Sequence, residues 1–274
     1  MKLATSFLSI FIFILSFSQT SFPRKSLDPL LYPFYHGVAS GDPLSNSVIL
    51  WTRFTDDTLS SDSVEVNWRI STDTSMINIV NSGNGYAHIN SDWTFKVDAS
   101  GLSPDTWYYY DFEALGYHSI RGRTKTAALG DNDSARFAVV SCSNYEHGYF
   151  NVYRYLRNRN DFDAVLHLGD YIYEYEAGGY SAGIVDRDNE PSNEIITLED
   201  YRVRYSHYRL DDDLRSLHQQ YPFINVWDDH ESANDSYVDG AQNHSPSTEG
   251  LWSDRKSNAP QAYHEWLPIR SPIP

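Results

Sequence analysis

Cysteine is almost missing from this chain. Cys142 stands alone among 274 residues, so no intramolecular disulfide can staple the fold, and packing, helped by metal where metal binds, must hold it. Basic residues are also scarce, with 21 Lys and Arg against 37 Asp and Glu and a formal charge of −16. That balance argues against a nucleic-acid partner, because duplex binding depends on Lys and Arg neutralising phosphates. A phosphorylated substrate stays open, since bound cations invert the local field at a site. Beyond the N-terminus no apolar run approaches the ~20 residues that a spanning helix needs. Aromatic residues are what the chain has in quantity: 21 Tyr, 13 Phe and 7 Trp, in a composition that is 41% hydrophobic. Disordered chains show the opposite profile, so this one is globular, with a length that fits two domains or one large one.

Lys2, the apolar run Phe7 to Phe17 and the small residues of Ser16-Phe17-Ser18 form the pattern of a secretory signal over residues 1–18, cleaved after Ser18. The run is too short to anchor the chain. The expectation is an exported protein, periplasmic or secreted, with no stable membrane anchor after cleavage. No twin arginine precedes the apolar run, which favours a Sec-type route. Three N-x-S sequons, at Asn132, Asn234 and Asn243, are too weak a pattern to carry function.

From Phe34 to about Ala127 short runs rich in β-branched and aromatic residues predict strands. The clearest are Ser47 to Arg53, Val64 to Ile70, Thr94 to Asp98 and Trp107 to Phe112. Val64, Val66, Trp68 and Ile70 can share one face. Gly41-Asp42-Pro43, Asn81 to Gly85 and Ser103-Pro104-Asp105 read as turns between them. Several such strands in under a hundred residues predict an antiparallel sandwich. Gly101 to Tyr108 resembles the strand-entry motif of fibronectin type III domains, in which the tyrosine matching Tyr108 bonds back to the backbone. This half shows no cluster of titratable residues and reads as structural or docking.

After Asp131 to Ser134 the period changes. Arg136 to Ser141, Asp163 to Leu168 and Phe223 to Trp227 are continuous apolar runs, expected of strands covered on both faces. Between them, Tyr149, Val152, Tyr153 and Leu156 recur at helical spacing, and so do Leu198, Tyr201, Tyr205 and Tyr208. Thr197 to Asp200 resembles a capping box, and Asp211 to Asp213 caps a further short helix. Strand, helix, strand, helices, strand is the unit of an α/β domain with a parallel sheet. Ligands in such sheets bind at the carboxyl ends of the strands.

Those ends carry Ser141-Cys142-Ser143-Asn144-Tyr145-Glu146-His147, Gly169-Asp170-Tyr171-Ile172-Tyr173-Glu174 and Asp228-Asp229-His230-Glu231, with Asn234 shortly after. Each group has an ordinary explanation alone: a core cysteine, a helix cap, a packed tyrosine, a solvated turn. Their convergence on one edge favours a metal site, because a cation offsets the repulsion among gathered carboxylates. Oxygen ligands suit Ca, Mg or Mn, and thiolate and nitrogen suit Fe or Zn, so the mixed set points to more than one ion.

At these residues the sequence resembles the alkaline phosphatase D (PhoD-like) family of metallophosphoesterases. The motifs that carry the resemblance are His36 to Pro43, Val48 to Arg53, Gly122 to Thr126, Ser141 to Gly148, His167 to Tyr175, Trp227 to Glu231 and Ala262 to Pro268. The resemblance implies an exported protein with an N-terminal all-β fibronectin type III-like sandwich, which falls at 19–130 after the signal segment, and an α/β catalytic domain of four αββα layers beginning at 131. It implies a phosphoesterase acting on small phosphate mono- or diesters, with ferric iron and calcium as cofactors. Cys142 and Tyr173 would bind iron, Asp170 would bridge metals, Asp229 would bind calcium, and His230 would lie beside the phosphate as stabiliser or proton donor. Asp228 and Asn234 would support them from behind.

Two departures accompany it. The family's usual export signal carries twin arginines, and its sequences continue past the Trp266 region to a Gly-Asp-x-His segment. Here Gly-Asp occurs at 41, 130 and 169, never with that histidine. The expectation is therefore an incomplete catalytic domain, 131–274, whose metal site is short of ligands. The contrasting expectation is an inactive remnant, or an exported binding protein that keeps the fibronectin-like domain.

Overall fold

Period-two alternation builds the first half. In the computed structural model, which describes residues 27–184 and 186–270, it forms β1 (Val38–Gly41), β2 (Ser47–Arg53), β3 (Ser63–Ser71), β4 (Ile79–His88), β5 (Thr94–Ser100), β6 (Trp107–Ala114), β7 (Tyr117–His118) and β8 (Gly122–Lys125). The signal segment expected at 1–18 lies outside the described residues. In β3, Val64, Val66, Trp68 and Ile70 are buried while Glu65 and Asn67 face out. Strands β4, β3, β6 and β7, with β8 on β6, make one antiparallel sheet; β5, β2 and β1 face it. Between the two sheets lies a core that includes Leu50, Val66, Phe95, Tyr110 and Phe112. The buried Tyr108 hydroxyl accepts the Ser103 N–H at 2.8 Å, closing the turn at Ser103-Pro104-Asp105.

One expected turn is a strand. Residues 81–85 run through the middle of β4, paired with Ile70 back to Val66. Glycine here serves close approach rather than a turn: a Cβ on Gly85 would sit 2.5 Å from the Phe95 ring.

The second half forms β9 (Phe137–Val140), α1 (Asn151–Asn158), β10 (Ala164–His167), α2 (Leu198–Arg209), α3 (Asp212–Gln220), β11 (Pro222–Asn225), α4 (Pro246–Glu249) and α5 (Trp252–Trp266). Thr197 and Asp200 close a reciprocal capping box on α2, and Asp211 caps α3 through the N–H groups of Asp213 and Leu214. Tyr201, Tyr205 and Tyr208 are fully buried. In α1 the inward residue is Tyr153, preceded by the buried Phe150. Tyr149 and Val152, expected on that stripe, are 60% and 63% exposed because the helix starts later and is rotated.

Strands β9, β10 and β11 pair in parallel, as the α/β pattern requires. Strand β1 also pairs in parallel with β11, Gly41 opposite Phe223, so a six-stranded mixed sheet β5-β2-β1-β11-β10-β9 crosses from one half to the other. The terminal motifs lock this joint. Trp51 Nε1 donates to the Glu265 carbonyl, Trp266 Nε1 donates to Asp92, and the buried Arg53–Asp92 pair closes at 2.7 Å beneath Trp266. His36 Nε2 meets the Ser206 hydroxyl at 2.8 Å.

Of the three apolar strands of the second half, β10 is buried almost throughout, as expected, whereas β9 and β11 are not covered on both faces by the described residues. Phe137, Val139, Leu168, Ile224 and Val226 remain 38–59% exposed, because the helices of the described residues pack on one side only.

Candidate functional site

Parallel pairing ends β9, β10 and β11 at a common edge, and the backbones beyond them remain stitched together. Cys142 N–H donates to the Gly169 carbonyl at 3.2 Å, Ser143 N–H to the Asp170 carbonyl at 2.9 Å, and Val226 N–H to the His167 carbonyl at 3.0 Å. Cys142 and Asp170 both sit in the left-handed region, at φ 57° and 52°. Such backbone costs about 1–3 kcal/mol per residue and persists where surrounding structure dictates it, commonly at functional sites. Gly169, at φ 100°, lies so close to the β11 loop that a Cβ would stand 2.5 Å from the Asp228 nitrogen.

Ligand atoms of Asp170, Asp229 and His230 lie within 4.8 Å of one another. The Tyr173 hydroxyl donates to Asp170 Oδ2 at 3.1 Å, while Asp170 Oδ1 is buried without a hydrogen-bond partner among the described residues. Cys142 is exposed, which removes the core explanation for it, and its thiol is near enough to the Tyr173 phenol to help raise the pKa of that phenol. The Tyr173 and His230 rings stand 4.2 Å apart. So the structure gathers Cys142, Asp170, Tyr173, Asp229 and His230 at one place. Asp228 is exposed, and Asn234 contributes its backbone N–H to Glu174.

The electrostatics are those of a site that favours a cation. Burial, the Asp170 charge and the Cys142 thiol all raise the Tyr173 phenol, so it stays protonated unless positive charge approaches. An orphaned buried carboxylate oxygen, converging anions and a mixed oxygen, nitrogen and sulfur donor set fit metal binding.

Three buried acids of the strand-end motifs were given no individual role by the sequence. Glu231 accepts the N–H groups of Asp170 at 3.1 Å, Tyr171 at 2.6 Å and Asp228 at 2.8 Å, tying the β10 loop to the β11 loop. Burial pushes its pKa up to about 7 against the pull of those three donors. Glu174 binds His230 Nδ1 at 2.7 Å, the Asn234 N–H at 2.8 Å and Asn243 Nδ2 at 3.0 Å. Burial opposes the His230 imidazolium, but the hydrogen bond to Glu174 and the charges of Glu174, Asp170 and Asp229 outweigh it and raise the pKa. Glu146 accepts the N–H groups of Gly178 and Asn189. From α2, the fully buried Arg204 donates to the carbonyls of Tyr173, Tyr175, Glu190 and Pro191, fixing the loop that carries Tyr173. Their motifs are visible in the sequence; most of their partners lie 32 to 69 residues away along the chain.

This fold is found among phosphatases. A purple acid phosphatase from yellow lupin (Lupinus luteus) seeds aligns over 81% of this chain and 39% of its own, with a TM-score of 0.50 at 12% identity. The family described as PhoD-like phosphatase matches residues 137–274, and its N-terminal domain matches residues 21–128. The chain belongs to the PhoD-like phosphatase family. Alkaline phosphatase D of Bacillus subtilis (strain 168) is 41% identical over 246 residues, which are 87% of this chain and 42% of that protein. A solved structure of PhoD superposes with a TM-score of 0.80 at 40% identity, over 87% of this chain and 47% of its own. The chain thus spans less than half the length of these relatives.

Proposed function

We propose that this protein is an exported, metal-dependent phosphoesterase that hydrolyses small phosphate mono- or diesters. The observation that carries the reading is the buried, unpartnered Asp170 Oδ1 at the meeting point of Asp229, His230 and Tyr173, in a chain of the PhoD-like phosphatase family. Cys142 and Tyr173 would hold ferric iron, Asp170 would stand between two ions, and Asp229 would hold calcium. The cations would supply charge neutralisation for the phosphoryl group and acidify a water. The chain's own residues do the rest. Glu174 occupies His230 Nδ1, which leaves Nε2 as the nitrogen free to face a phosphate oxygen. The raised pKa of His230 keeps a proton available there. Glu231 holds the Asp170 and Asp228 backbones in register, which keeps Asp229, the next residue along, at its spacing from Asp170.

The finer architecture belongs to the same proposal. One antiparallel sheet facing the antiparallel β5-β2-β1 portion of the mixed sheet, and the Tyr108 bond, support a fibronectin type III-like unit over 19–130. Parallel strands with helices on one face support αββα layering of the catalytic unit that begins at 131.

Hydrolysis of p-nitrophenyl phosphate and bis(p-nitrophenyl) phosphate, before and after metal removal, tests the reading. Turnover should vanish with the metals and return with iron and calcium. Turnover that survives complete chelation, or none in metal-replete protein, sinks it.

Export rests on Lys2, the Phe7–Phe17 run and Ser16-Phe17-Ser18. Protein recovered outside an expressing cell should begin at Gln19. Membrane-bound material that starts at Met1 would contradict this.

A further inference from the structure

A cavity of about 620 Å³ opens directly beside Cys142 and Tyr173. Among the described residues its lining contains Tyr149, Phe150, Tyr153, Tyr180 and His147 and no Lys, Arg, Asp or Glu. The wall nearest the site is a continuous series of rings. His230 lies 4.2 Å from Tyr173, Tyr173 lies 6.3 Å from Tyr180, and Tyr180 lies 4.4 Å from His147. Tyr180 is 46% exposed, so it offers surface toward the opening.

Its position is fixed from below. The buried Glu146 accepts the N–H groups of Gly178 and Asn189, and its own carbonyl accepts the Ala182 N–H at 3.3 Å. Asn144 Nδ2 donates to the Tyr180 carbonyl at 3.3 Å. A glycine-containing loop is thereby pinned on both sides of the residue whose ring closes the wall.

We infer that this cavity receives the organic group of the ester, that it selects a neutral planar ring, and that Tyr180 is the specificity-determining residue. The inference rests on the phosphoesterase reading of the adjoining site. Aromatic faces reward stacking of a planar group whatever its edge pattern. A lining without cations, in a chain of charge −16, gives nothing to a second anionic group on the substrate.

Equilibrium binding of non-hydrolysable phosphonates to the metal-replete protein tests this without requiring turnover. Phenylphosphonate should bind about tenfold more tightly than methylphosphonate, the scale expected of one aromatic stacking contact. That ratio should collapse toward one in Tyr180→Ala and persist in Tyr180→Phe. Adding a carboxylate, as in 4-carboxyphenylphosphonate, should weaken binding. Equal affinities for the phenyl and methyl probes, a ratio indifferent to Tyr180→Ala, or tighter binding of the carboxylated probe would each overturn the assignment. Turnover of phenyl phosphate is scored separately. Protein that keeps the phenyl preference but hydrolyses no ester contradicts the phosphoesterase reading and leaves the cavity assignment standing.

Discussion

Asp170→Asn should lower the proposed phosphoester hydrolysis by about 10²–10³-fold, the scale of removing a principal electrostatic group from an active site, while the protein still folds. Asp170 is where the contacts meet: Tyr173 on one carboxylate oxygen, an unpartnered oxygen on the other side, and Asp229 and His230 within 4.8 Å. Asparagine keeps the shape and the backbone N–H to Glu231 but removes the negative charge that a cation needs. It also relieves repulsion among the gathered acids, so stability should hold or rise. The comparison is kcat/KM for bis(p-nitrophenyl) phosphate alongside thermal melting. Activity within tenfold of the parent would remove Asp170 from the centre of the site.

Gly169→Ala has the largest expected effect on stability. The residue sits at φ 100°, outside the range that L side chains accept readily, and its added Cβ would meet Asp228 N at 2.5 Å and Asp228 Cβ at 2.6 Å. Neither obstacle is a flexible side-chain end. Backbone strain and overpacking together cost about 3 kcal/mol, a fall in Tm of roughly 6–12 °C for a chain this long. Relief requires the β11 loop to move away from the β10 loop, which separates Asp229 and His230 from Asp170. Melting and metal affinity should therefore decline together. A Gly169→Ala protein with parental Tm and metal content would show that the close approach is dispensable.

The residues that gather at the sheet edge were legible as candidates because each follows an apolar strand run: Cys142 after Val139-Val140, Asp170 after Leu166-His167-Leu168, Asp229 after Val226-Trp227. Parallel pairing then carries them to one edge. The cap residues Thr197 and Asp211 were legible for a similar reason, since capping is read within four residues. Long-range pairing was not. Nothing local in Val38–Gly41 marks it as a parallel partner of β11, because its alternation is satisfied equally well inside an isolated sandwich. The glycines of 81–85 look like a turn until the Phe95 ring that needs their space is placed beside them. Glu174 and Glu231 show the same limit. A carboxylate in a motif reads as a ligand or a solvated charge, and only the fold reveals three donors folded around it.

The metal centre is the central claim, and the visible spectrum of the metal-replete protein tests it most directly. If the proposed centre holds ferric iron through the Cys142 thiolate and the Tyr173 phenolate, the protein should show a charge-transfer band, with iron and calcium both found by elemental analysis. Tyr173→Phe should abolish or shift that band, and Cys142→Ser should shift it again, while both proteins keep their far-ultraviolet circular dichroism. An iron-loaded protein whose spectrum is unchanged by both substitutions would contradict the centre as assigned.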